Sequence, residues 1–190
     1  MSKDAARVTV ASAEALRDWL AAHHAQAEPV WLVTWKAHVT EKYVGREDVL
    51  DALVAFGWVD GRRMKLDDDR TMQLIAPRKQ QAWADSYKTR AARLEAEGQM
   101  AAPGRASVAA GKASGLWDFY ADVDALIVPE DLGQALAALP PAAMHFDAFA
   151  PSAKRNILRW VKIAKTAPTR AKRIAEVARL AAENRKPPQM

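Results

Sequence analysis

Residues 56–79, FGWVDGRRMKLDDDRTMQLIAPRK, constrain the fold of this chain most, because the apolar period changes there from that of a helix to that of a strand. Just upstream, Val49, Leu50, Leu53, Val54 and Phe56 lie on one broad helical stripe, and Gly57 stands where helices commonly stop. From Trp58 the pattern alternates instead. Met64 and Leu66 share one face, Arg63 and Lys65 the other, and after residues 67–70 the run Met72, Leu74, Ala76 repeats the alternation. The pattern predicts a β-hairpin with an acidic tip. The stretch has no glycine loop for a phosphate, no thiols for zinc and no nucleophile with its base, so no standard reaction follows from it.

The flanking sequence supplies the other elements. Val8, Thr9 and Val10 form a short β-type run, and Ser12 stands at the N-cap of a helix carrying Leu16, Trp19 and Leu20. Val30 to Trp35 (VWLVTW) reads as a central strand buried on both faces. Past Pro77 a helical pattern runs through Trp83, Tyr87, Ala91 and Leu94 to Gly98, and another helix begins near Pro103. Residues 111–124 form an ordered connector that must bury Leu116, Trp117, Phe119 and Tyr120.

Pro129 opens a helix that runs to Leu139, with Glu130 and Asp131 at the positive end of its dipole. Pro140, Pro141, Pro151 and Pro168 divide the remainder into a short helix around residues 144–149, a longer one over about 152–167 and a last one from Thr169. The tail RKPPQM is expected to fray. The expected fold is α+β: a small mixed β-sheet with packed helices (residues 1–127, hairpin near 58–76), followed by an all-helical C-terminal module (128–190).

Half of the 190 residues are apolar, enough for one well-filled core or a core with a helical appendage. The absence of cysteine removes disulfides, thiolate metal sites and cysteine nucleophiles, and fits a reducing compartment. The first residues lack a signal-like apolar stretch, and no segment approaches the ~20 apolar residues of a membrane span. A cytoplasmic location is therefore expected. Net charge is +5, but residues 152–190 carry 11 Lys and Arg against 2 Asp and Glu, a net +9 that leaves −4 for the rest.

Candidate binding residues concentrate around the hairpin. Lys36 ends the apolar strand, and Trp58, Asp60, Arg62, Lys65, Arg78 and Lys79 flank the hairpin, so donors and an aromatic wall could converge on a carboxylate or phosphate. The simpler reading is a solvated face on which Asp60 pairs with a neighbouring arginine and Trp58 is core. Five tryptophans, at 31, 35, 83, 117 and 160, fall within apolar patterns; Trp58 is the one expected to be partly exposed. Asp67, Asp68 and Asp69 suit an Asx-capped turn better than a cation loop, and the scattered histidines lack zinc spacing. No metal and no cofactor is expected. In the C-terminal module, Arg155, Arg159, Lys162, Arg170 and Arg173 form a basic surface suited to phosphate backbones or anionic lipid, a solvated face being the simpler reading.

Several blocks together resemble the bacterial YdeI or OmpD-associated family of bacteriocin-protection proteins. They are WLVTWK at 31–36, Ala52-Leu53 through FGWVDG at 56–61, the acidic turn, APRK at 76–79 with Trp83, then Leu94, GQM at 98–100, Trp117-Asp118, VPEDL at 128–132 and RAKRI at 170–174. Ala55, Gln81-Ala82 and Tyr87 depart from the cysteine, serine and asparagine usual among relatives. The resemblance implies a role in tolerance of antimicrobial peptides or envelope stress, with an outer-membrane porin or an antimicrobial peptide as partner, and implies no reaction.

Three readings of function stand open on the sequence. The first is an accessory protein that binds through the hairpin; the second is nucleic-acid or anionic-surface binding by the basic helices. The third is an enzyme of unknown reaction at Lys36, Asp60 and Arg78, which ranks behind the binding readings.

Overall fold

The alternation downstream of Gly57 forms the expected hairpin. In the computed structural model, which describes residues 5–187, β3 (Trp58–Lys65) and β4 (Arg70–Pro77) pair antiparallel about the acidic tip. β2 (Val30–Trp35) lies between β4 and β1 (Arg7–Thr9), antiparallel to the first and parallel to the second. The four-stranded mixed sheet has the order β1-β2-β4-β3. VWLVTW is thus an interior strand, buried at every position but Trp35.

Two helices close one side of this sheet. The Ser12 hydroxyl accepts from the Ala15 amide at 3.0 Å and starts α1 (Ala13–His23); α2 (Arg46–Ala55) ends at Gly57, whose φ of +72° is the left-handed turn that glycine adopts without strain. Val30, Leu32 and Ile75 from the sheet meet Leu16, Leu20, Val49 and Leu53 from the helices in one core cluster, with Trp58 among them.

On the far side of α2 a second cluster joins its Val54 and Ala55 to Ala91 and Leu94 of α3 (Asp85–Ala96) and to Trp83 and Met100 of the loops flanking α3, with Val108 of α4 (Ala102–Ala113) packed against it. Gly104 permits this packing, since a Cβ there would lie 2.2 Å from the Ala55 carbonyl oxygen. The helix expected directly after Pro77 begins only at Asp85. Residues 78–84 spend their amides elsewhere, Arg78 donating to Gly57 O at 2.9 Å and Trp83 to Leu116 O at 3.0 Å.

The chain divides into two compact units, one up to Asp118 and one from Phe119. The second is all helical: α5 (Ala121–Asp124), α6 (Glu130–Ala137), α7 (Ala142–Ala148), α8 (Pro151–Lys162) and α9 (Ala167–Ala182). Their apolar stripes meet in a core that includes Leu132, Leu136, Phe146, Leu158, Val161 and Val177. Pro168 does not end the preceding helix, as expected, but lies in the first turn of α9, where its missing N–H costs nothing; Thr166 caps that turn by accepting from the Thr169 amide at 3.3 Å. Of the tail expected to fray, Arg185 is held by Leu180 O at 2.8 Å and by Glu183 at 2.9 Å, and residues 188–190 lie outside the described residues. The fold class is α+β, as the sequence indicated.

Candidate functional site

The hairpin carries one irregularity that decides where its charged residues point. Asp60 pairs with Ile75 but Arg63 pairs with Gln73, so β3 holds an extra residue across that step, a β-bulge. Before the bulge, Trp58 and Asp60 share the face of Ile75 that α1 and α2 cover; after it the parity flips. Arg62 consequently leaves Asp60's face, and its guanidinium lies 5.2 Å from the Trp31 ring centroid on the opposite side of the sheet.

Trp58 is fully buried, contrary to the partial exposure expected for it. Its position in the register directs the indole inward, into the cluster beneath α1, where the Trp19 ring meets it edge-on at 5.6 Å. It is a core residue.

Lys36 and Lys65 belong to the opposite end of the hairpin. The Lys36 ammonium donates to the carbonyls of Asp67 at 2.9 Å and Asp68 at 2.6 Å, and Lys65 pairs with the Asp68 carboxylate at 2.6 Å. The tip itself is an Asx-capped turn, Asp67 Oδ1 accepting from the amides of Asp69 and Arg70. The side-chain hydrogen bond from Arg70 holds the Asp67 carboxyl below its usual range. Between this tip and Arg78 runs the whole of β4, a span of more than ~20 Å at ~3.3 Å per residue. Lys36 and Arg78 therefore do not share a site.

At the base of the hairpin, Asp60, Arg78 and Lys79 come together with residues that the sequence did not single out as ligands. Asp60 accepts from the Tyr87 hydroxyl and, at 3.0 Å, from Gln73 Nε2. Arg78 leaves the end of β4 and lays its guanidinium over Trp83, 4.0 Å from the ring centroid, and over Tyr87 at 5.0 Å. Nη1 donates to Gln81 O at 3.1 Å. Among the described residues no carboxylate comes within ion-pair distance of it. Burial pushes this guanidinium down to about 10, with the Asp60 charge acting the other way, so it stays cationic at neutral pH.

Arg78 and Lys79 line a cleft of about 310 Å³ walled by Phe56, Pro77, Trp83, Pro103 and Leu116, to which His24 and Ser107 add polar edges. Trp83 reaches this wall by seating on Gly111, where a Cβ would come within 2.4 Å of the indole nitrogen. His24, Ser107 and Gly111 sit on α1's end and on α4, far from the hairpin in sequence. Only the glycines of α4, as points of close approach, hinted at them.

The basic C-terminal residues are largely engaged within their own unit. Lys162 pairs with Asp122 at 2.5 Å and Arg170 with Asp131 at 2.6 Å. Arg173 donates to Trp160 O at 2.5 Å, and Arg159 stacks over Tyr120 at 4.8 Å. Arg155, with Lys165 and Lys172, makes no ion pair or hydrogen bond among the described residues. No helix among the described residues is long and apolar enough to cross a membrane, and no group of His, Cys, Asp and Glu in them could hold a metal ion.

The fold and site thus define an α+β domain with a cation at the mouth of a cleft, joined to a helical unit. Residues 8–107 match the family described as Domain of unknown function (DUF8412), which is more than half of the chain, and the chain belongs to that family. Residues 125–184 match the family Bacteriocin-protection, YdeI or OmpD-Associated, the one named by the sequence resemblance. That match lies within the helical unit, whereas the resembling blocks from Trp31 to Trp83 fall inside the first. No curated protein and no solved structure matches the chain.

Proposed function

We propose that the protein is an accessory binding protein in tolerance of antimicrobial peptides, and that it makes its contact through the base of the β3–β4 hairpin. The observation that carries this reading is Arg78, a half-buried cation held by aromatic rings and one carbonyl, with no carboxylate within ion-pair distance among the described residues, at the edge of a cleft. Partly desolvating a guanidinium is costly unless an anion offsets it, and here the Asp60 charge acts from beyond ion-pair distance and leaves the effect of burial the larger. The family description of the helical unit supplies the biological setting, and an antimicrobial peptide or an outer-membrane porin is the partner class it suggests.

The test is a deletion strain of the bacterial host, complemented with wild-type or Arg78→Gln protein and challenged with a cationic antimicrobial peptide. The wild-type gene should restore the inhibitory concentration several-fold and the variant should not. Equal tolerance of the deletion and wild-type strains would sink the proposal.

A further inference from the structure

The cleft beside Arg78 has a chemistry that narrows its occupant, and the argument rests on the reading above that the hairpin base is a contact surface. Phe56, Pro77, Pro103 and Leu116 give it apolar patches beside the polar groups of His24, Arg78, Lys79, Gln81 and Ser107, while the buried Trp83 lies beneath the Arg78 guanidinium. At about 310 Å³ it lies at the small end of ligand pockets, which run from ~300 to 1,000 Å³. One guanidinium, clamped by stacking, presents a planar donor fork with one N–H used by Gln81 and the rest unclaimed among the described residues. A planar fork matches a planar two-oxygen acceptor. The flank of α4 supplies side chains to the cleft, Ala106, Ser107 and Ala110, rather than the row of backbone amides with which proteins commonly cradle phosphate.

We propose that this cleft binds a small carboxylate with an apolar body, the carboxylate on the Arg78 fork with Lys79 at the rim and the body against the partly exposed Phe56, Pro77 and Leu116. A carboxylate of this kind comes from a free aromatic acid or from the C-terminal residue of a peptide. Ser107, whose hydroxyl makes no hydrogen bond among the described residues, also lines the cleft and offers a second donor.

The experiment is a calorimetric titration of the full-length protein with benzoate, benzamide, N-acetyl-phenylalanine, its carboxamide and inorganic phosphate. Saturable binding of benzoate or N-acetyl-phenylalanine is expected, at least tenfold tighter than the matching amide and than phosphate; whichever acid binds more tightly assigns the source. Arg78→Gln should weaken it at least tenfold. Because that change also removes a stacking partner of Trp83, a second variant, Ala106→Trp, fills the cleft from an exposed position on α4 and should abolish binding without lowering the melting temperature. Binding indifferent to the charge of the probe, binding unchanged in both variants, or no saturable binding of either acid overturns the proposal. If the acids fail to bind while Arg78→Gln still loses protection in the complemented strain, only the ligand class is wrong. If they bind but that variant protects fully, the cleft is a ligand site and the tolerance reading falls.

Discussion

Arg78 and Trp83 stack with the guanidinium 4.0 Å from the ring centroid, closing the loop that leaves the hairpin. The stack stands on a third residue, because Trp83 can lie where it does only while position 111 has no side chain. Gly111→Ala should therefore displace the indole, cost about 1–3 kcal/mol of stability as an overpacked core site, and weaken benzoate binding without touching Arg78 itself. Urea unfolding and the benzoate titration check the two halves separately.

Trp58→Ala should be among the most damaging single changes in the first unit. The side chain is completely buried in the cluster beneath α1 and α2, and truncations of this size cost about 3–5 kcal/mol. A urea midpoint close to wild type would show that the indole is exposed after all.

Lys36→Met tests whether the lysine belongs to the tip or to the cleft. Its ammonium bonds to two tip carbonyls, so the change should cost about 1 kcal/mol and speed hydrogen exchange of the Asp69 and Arg70 amides. Benzoate affinity should be unchanged. Loss of that affinity would place Lys36 in the site.

Asp131 provides an acid-sensitive contact in the helical unit. Its carboxyl is held below 3.8 by hydrogen bonding from Arg170, so on acidification the unfolded chain takes up the proton first. The pair's contribution is therefore full above the unfolded value and disappears as pH falls through the folded one. With 47% of the Asp131 side chain exposed, solvent screening keeps that contribution below ~1 kcal/mol. Asp131→Asn should lower the urea midpoint slightly at neutral pH, and the difference from wild type should shrink as acidification protonates the folded carboxyl; a loss that does not change with pH would argue for a packing role.

Local chemistry was legible in the chain itself. The four strand runs near Val8, Val30, Trp58 and Thr71, the Ser12 cap, the stop at Gly57 and the acidic hairpin tip follow from period, capping and turn residues, which act over a few neighbours. The α+β class follows from their order. Which way the hairpin's charges face did not, because strand parity counts residues and a single bulge after Asp60 reverses it, taking Arg62 to the Trp31 side. Nor could period alone place Trp58 in the core. Antiparallel pairing then sends Lys36 to the tip and Arg78 to the base, separating two cations that an alternating pattern treats alike. The cleft belongs wholly to tertiary structure: α1's end, α2's stop and α4 meet there because Gly57, Gly104 and Gly111 allow backbones and a tryptophan to approach more closely than any side chain would permit.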